Sequence, residues 1–165
     1  MAKISSFSRG NHVIYPAHGV GQIKEIETHE IGGHSLEMFV ISFEKDRMTL
    51  RLPVAKAKNS GLRPVSTSKE MANAINTLKA RPRLRRSMWS RRAQEYETKI
   101  NSGSPVSLAE VVRELYRKAN QPEQSYSERQ VYQNALQRLA GEIAAIESTD
   151  TDRAIQKVEK ILEAA

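Results

Sequence analysis

The apolar positions of this 165-residue chain follow two different periods, and the change comes near Leu62. Before it the runs are short and suited to strands. HVIY at 12–15 is β-branched and aromatic, and Pro16-Ala17-His18-Gly19 breaks it. VGQIKEIET at 20–28 carries Val20, Ile23 and Ile26, an alternation with an irregular step. Ile31-Gly32-Gly33-His34 is a hairpin-turn signal. SLEMFVISFE at 35–44 puts Leu36, Met38, Val40 and Ser42 on one face and Phe39, Ile41 and Phe43 on the other. Both faces are partly apolar, which predicts a curled sheet or small barrel. Lys45-Asp46 turns the chain into MTLRL at 48–52, and Pro53 opens a short helical or turn piece.

After Leu62 the period becomes helical. Thr67-Ser-Lys-Glu70 reads as a capping box, followed by Met71, Ile75 and Leu78 at helical spacing. Pro82 interrupts, and a second helix is predicted from near Ser87 to Asn101. Ser104-Pro105 caps a third, bearing Leu108, Val111, Val112, Leu115, Tyr116 and Ala119. A loop follows at 120–124. Ser127-Glu-Arg-Gln130 reads as the capping box of a fourth helix with Leu136, Leu139, Ile143 and Ile146 on its apolar face. Ser148-Thr149-Asp150 caps a last helix with Ile155, Val158, Ile161 and Leu162. The fold class expected is α+β in two domains: a small antiparallel β-barrel-like module at 1–62, a linker at 63–68 and an all-α bundle at 69–165.

Composition narrows the function. Apolar residues are 39% and aromatics 5%, so the cores should be modest and mainly aliphatic. With no cysteine, disulfides, a thiol nucleophile and Cys-based zinc sites are excluded, and a reducing compartment fits. No apolar run reaches the roughly 18–20 residues of a membrane span, and the first ten residues hold no apolar signal core. The location expected is cytoplasmic, with no membrane partner. No GxxxxGK[ST] or GxGxxG is present. His29 and His34 flank a Gly-Gly turn with no carboxylate at ligand spacing, so they read as turn histidines rather than metal ligands. Glu95 and Glu97, two apart on a helix, face different ways. No catalytic site, cofactor, metal or small-molecule substrate is expected.

Charge supplies the sharpest signal. The formal net charge is +7, and residues 79–92 (KARPRLRRSMWSRR) hold seven Lys/Arg and no Asp or Glu. The nineteen other basic side chains balance the nineteen acidic ones. The only tryptophan, Trp89, lies in the same segment. A bland reading makes this a solvated basic loop with Trp89 as a core anchor. Two details favour a polyanion site. Arginines at a helix start oppose the macrodipole at a cost of a few tenths of a kcal/mol each, a cost an incoming phosphate reverses. Arg also outnumbers Lys six to one in the segment, and its planar fork suits phosphate oxygens and stacked bases.

MWSRRAQEYETKINSGSPVSLAEVVRELYRKAN at 88–120 strongly resembles the C-terminal domain of the CarD/CdnL family of bacterial transcription regulators. GNHVIYPAHGVGQIKEIETHEIGGHSLEMFVISFE at 10–44, with MTLRLPVAKAKNSGLRPV after it, resembles the family's N-terminal module, which is Tudor-like and shared with the transcription-repair coupling factor. The VxYPxHGVG and WSRR signatures occur in order, and the similarity runs on to EIAAIESTD near Asp150. The coupling factor's ATPase motifs are missing.

The resemblance implies a regulator that binds the RNA polymerase β subunit through its N-terminal module and promoter DNA at the upstream edge of the bubble through its C-terminal domain. It would stabilise the open complex, for instance at ribosomal RNA promoters, and associate with the nucleoid. On matching positions Trp89 would be a minor-groove wedge, and Arg91 and Arg92 phosphate contacts, with Arg85 and Arg86 added. Thr49, Leu50 and Arg51 match one strand of the polymerase contact, and His29 falls where some relatives have Arg. The alternative is a free-standing nucleic-acid-binding module without sequence preference. Poverty in Asn and Gln at base-reading positions of the basic segment argues against a sequence-specific helix-turn-helix repressor.

Overall fold

The computed structural model describes residues 7–57, 59–82 and 87–165 and divides into two compact units, Met1–Val65 and Ser66–Ala165. In the first, β1 (His12–Tyr15), β2 (Gly19–Ile31), β3 (His34–Phe43), β4 (Met48–Pro53) and β5 (Arg63–Pro64) form one antiparallel sheet, with the one-turn α1 (Val54–Ala57) after β4. The order across the sheet is β4-β3-β2-β1-β5. Gly32 and Gly33 join β2 to β3 with φ of 59° and 82°; a two-residue hairpin turn needs φ > 0 at both positions, which glycine adopts without a Cβ clash. The irregular step in β2 is a register shift between Ile23 and Glu25. Ile23 pairs with Ile41 and Ile26 with Phe39, so one extra residue keeps both isoleucines on the face of β3 that carries the core.

The barrel expectation is corrected: the sheet is open. Among the described residues β4 pairs only with β3 and β5 only with β1. Closure would need a ladder between β4 and β5. β5 is two residues long, one of them Pro64, which has no N–H to donate. The inner face is filled instead by chain outside the strands. Phe7, Ala57 and Leu62 pack with Val13, Ile23, Phe39, Ile41, Phe43 and Leu52. The second apolar row of β3 is only partly covered: Val40 is buried, though outside the main cluster. Leu36 and Met38 are half-buried on the outer face.

The second unit holds α2 (Ser68–Lys79), α3 (Trp89–Asn101), α4 (Pro105–Leu115), α5 (Tyr126–Glu147) and α6 (Thr151–Ala164). α4 is central and packs on α2, α3 and α5, while α6 lies against α5 and α2. Its Leu108, Ala109, Val111, Val112 and Leu115 are buried. Side chains cap the starts as composition suggested: Thr67 accepts from the Glu70 N–H at 3.2 Å, Ser104 from Ser107 at 3.3 Å and Asp150 from Arg153 at 2.8 Å.

Three helix boundaries differ from the periodicity. α3 begins at Trp89 rather than near Ser87. α4 stops at Leu115, leaving Ala119 exposed and outside it. Its last carbonyls are taken by side chains: Gln124 donates to the Leu115 carbonyl and Arg117 to those of Glu114 and Tyr116. α5 opens two residues early because Ser125, not Ser127, is the cap and accepts from the Glu128 N–H at 3.2 Å. The entry to the unit is pinned by a buried acid, Glu142 on α5, which accepts from the Ser66 N–H at 2.7 Å.

Candidate nucleic-acid and protein interfaces

α3 begins without a side-chain cap. Met88 occupies the N-cap position and makes no capping hydrogen bond, and no acid sits in the first turn. Two arginines, Arg91 and Arg92, stand there instead. A helix N-terminus without a side-chain cap and two guanidiniums share one end, and both favour an anion. Met88 is 79% exposed. Trp89 is half-buried and packs against the edge of the helical core.

The two first-turn arginines differ in setting. Arg91 is exposed. Arg92 is half-buried, and its guanidinium carbon lies 5.7 Å from the Trp89 ring centre and 5.6 Å from that of Tyr96. Arg92 Nη2 donates to the Tyr96 hydroxyl at 2.9 Å. Trp89, Arg92 and Tyr96 follow at spacings of three and four, which aligns them on one face of the helix. Burial pushes the Tyr96 phenol above its ordinary range; the Arg92 hydrogen bond opposes this and the Glu114 carboxylate reinforces it. Arg85 and Arg86 lie outside the described residues.

On the sheet unit, the alternation of edge strand β4 separates the three sequence candidates. Thr49 and Arg51 are exposed on the outer face, opposite Ser42 and Val40. Leu50 turns inward and packs on the core, so its side chain is not part of that surface. His29 sits two strands away, opposite Leu36. Glu27 joins it to Arg51: Glu27 Oε2 lies 2.8 Å from His29 Nε2 and 3.4 Å from Arg51 Nε. An ionised carboxylate only accepts, so His29 presents its Nε2 proton there. The His29 hydrogen bond holds the Glu27 carboxyl below the usual carboxylate range; burial opposes it, and the weaker Arg51 hydrogen bond adds to the lowering. The structure thus brings Arg51 and His29 to one carboxylate, that of Glu27.

Sequence reasoning missed Glu27 and Met88. Glu27 precedes His29 by two, so strand alternation puts both on one face, but its reach to Arg51 depends on the register through β3. Met88 carried no signal apart from its neighbour, since a methionine at a helix start reads as core. Among the described residues no group of three or more His, Asp or Glu is placed to hold a metal ion, and no helix is long and apolar enough to cross a membrane.

An open antiparallel sheet followed by a helical unit with a cationic, tryptophan-bearing helix start defines a two-part protein with a basic, aromatic surface. The family described as "CarD, C-terminal domain" matches residues 73–159, and "CarD-like/TRCF RID domain" matches residues 7–66. The chain belongs to the CarD/CdnL family of transcription regulators, which are not enzymes. It is 29% identical over 140 residues to the Bacillus subtilis (strain 168) protein named "Putative transcription factor YdeB", covering 85% of this chain and 92% of that one.

Proposed function

We propose that this regulator holds RNA polymerase through the outer face and edge of its sheet unit and stabilises the promoter open complex through the start of α3. The observation that carries the reading is Trp89 at the head of an uncapped helix, beside exposed Met88 and Arg91, in the one segment that holds the chain's net charge. A flat ring and an apolar thioether at a cationic helix end suit the gap where a base step is lost, which costs about a few kcal/mol to open. Arg91, with Arg85 and Arg86 before it, would track nearby phosphates, and Arg92 adds its charge. On the sheet unit, Thr49 and Arg51 flank the open edge, where the backbone of a polymerase β-subunit segment can add as a strand. Glu27 would orient Arg51 for that contact, with His29 alongside.

Only differential binding shifts an equilibrium. If the wedge binds melted promoter better than closed promoter by about 1.4 kcal/mol, open complex rises about tenfold where it is the minor species. The basic segment alone should bind DNA weakly, on the order of 10⁻⁴–10⁻⁶ M, and tethering to polymerase raises its local concentration at one site. The test is open-complex lifetime at a ribosomal RNA promoter with cognate polymerase, comparing no protein, wild type and Trp89→Ala. Wild type should prolong the lifetime and Trp89→Ala should not. Equal lifetimes in all three, with tight DNA binding in the absence of polymerase, would replace this reading with a free nucleic-acid-binding module.

A further inference from the structure

The Trp89–Arg92–Tyr96 triangle carries an inference that rests on the wedge reading of Trp89 and deepens it. We propose that Arg92 is a positioning residue: its guanidinium brackets the Trp89 indole in place and does not contact DNA phosphate. Four observations support this. The guanidinium is within 5.7 Å of both ring centres, and the rings are 6.1 Å apart at 49°, so each of the three planar groups touches the other two. Arg92 Nη2 is committed to the Tyr96 hydroxyl at 2.9 Å. Arg92 Nε is buried with no hydrogen-bond partner, so that edge of the guanidinium lies against the protein rather than open to a phosphate. Tyr96 is itself only 1% exposed, and the buried Glu114 of α4 acts electrostatically on its phenol. The bracket is therefore anchored in the helical core.

The arrangement answers a mechanical need. Trp89 is the first residue of α3, so no earlier turn of its own helix supports the ring. A guanidinium stacked on the indole replaces that support with a planar, charged group. A ring already held in its working pose loses less freedom on insertion. Arg91, exposed in the same turn, remains the phosphate contact.

Trp89 is the sole tryptophan, so its fluorescence reports the bracket directly. Arg92→Ala, Arg92→Lys and Tyr96→Phe would be compared with wild type in the full-length protein, with far-ultraviolet circular dichroism as the folding control. Both Arg92 variants should shift the emission to the red and raise acrylamide quenching, because lysine keeps the charge but not the planar fork. Tyr96→Phe, which keeps the ring and removes only the hydroxyl, should do the same to a smaller degree. The salt slope of duplex DNA binding should stay near wild type in Arg92→Ala and fall by about one unit in Arg91→Ala. Open-complex lifetime in Arg92→Ala should drop roughly twofold to tenfold, the cost of ordering one large side chain. An unchanged emission spectrum, together with a slope lower by about one in Arg92→Ala, would make Arg92 a phosphate contact and overturn the proposal. Fluorescence needs no polymerase. A failure of the wedge reading would instead appear as an unchanged lifetime in Trp89→Ala, with the spectral result still deciding the bracket.

Discussion

Gly21→Ala should destabilise the sheet unit, and the structure sets the size of the effect. Gly21 closes the VIYPAHGVG run and sits on β2 opposite Val13, over the inner face of the sheet. A Cβ added there would lie 2.6 Å from Ile41 Cγ2 and 2.8 Å from Phe43 Cε1. Carbon atoms prefer about 3.5–4.0 Å, so the new methyl overlaps both by about 1 Å. Neither neighbour can swing away easily. Ile41 and Phe43 are 0% and 1% exposed, and Cγ2 sits on the stiff branch of a β-branched residue. Overpacking of this kind costs about 1–3 kcal/mol, and the lost freedom of the unfolded chain gives back about 0.4–1 kcal/mol. The net loss should be about 1–2 kcal/mol. For a unit of this size that lowers Tm by roughly 4–8 °C per kcal/mol. The readout is hydrogen exchange of the β2 and β3 amides, with Trp89 fluorescence as a control confined to the helical unit. Gly21→Val should lose more than Gly21→Ala. Sheet protection equal to wild type in the alanine variant would refute the steric reasoning.

Other outcomes follow from the same geometry. Arg51→Glu should abolish co-purification with the polymerase β subunit while leaving the fold intact, because the side chain is 53% exposed and surface changes usually stay within about 0.5 kcal/mol. Undiminished co-purification would remove Arg51 from the contact. Glu142→Ala should destabilise the helical unit by about 1–3 kcal/mol, since the buried Ser66 N–H loses its acceptor. Urea unfolding followed at Trp89 measures it, and an unmoved midpoint would mean water replaces the carboxylate. The helical unit should also weaken in alkali. Burial, then the hydrogen bond to Glu163, pushes the Tyr116 phenol up to about 12, and burial, then the charge of Glu159, pushes Tyr132 up as well. The folded state keeps these protons while the unfolded chain loses them near pH 10, so this stabilisation is whole below pH 10 and lost as pH rises toward 12. Glu163→Gln should narrow that window in a Tyr absorbance titration; an unchanged window would mean the carboxylate has no part in it.

Much of this protein is legible without coordinates. The change from period 2 to period 3.6 places the β and α halves, because burying one face of a strand or helix forces that spacing. The Gly-Gly turn and the Thr67, Ser104 and Asp150 caps are local chemistry, decided within four residues. The confinement of net charge to residues 79–92 and the place of Trp89 within it are facts of composition. The resemblance to the CarD/CdnL family rests on short motifs read directly.

What depended on distant parts of the chain was decided only by the fold. Two apolar faces on β3 suggested closure, yet a barrel requires two particular strands to meet, and Arg63–Pro64 is too short and too poor in donors to make that ladder. Leu50, adjacent to Thr49 and Arg51 in sequence, went to the core because strand alternation sends neighbours to opposite faces. Glu27 met Arg51 across an intervening strand. The cap of α5 fell on Ser125 rather than Ser127, two serines that local pattern ranks alike. Arg91 and Arg92 are identical in type and adjacent in sequence, yet one is exposed and the other packs against two rings. Sequence period assigns a residue to an element and a face, whereas burial and partners are properties of whatever the rest of the chain packs against that face.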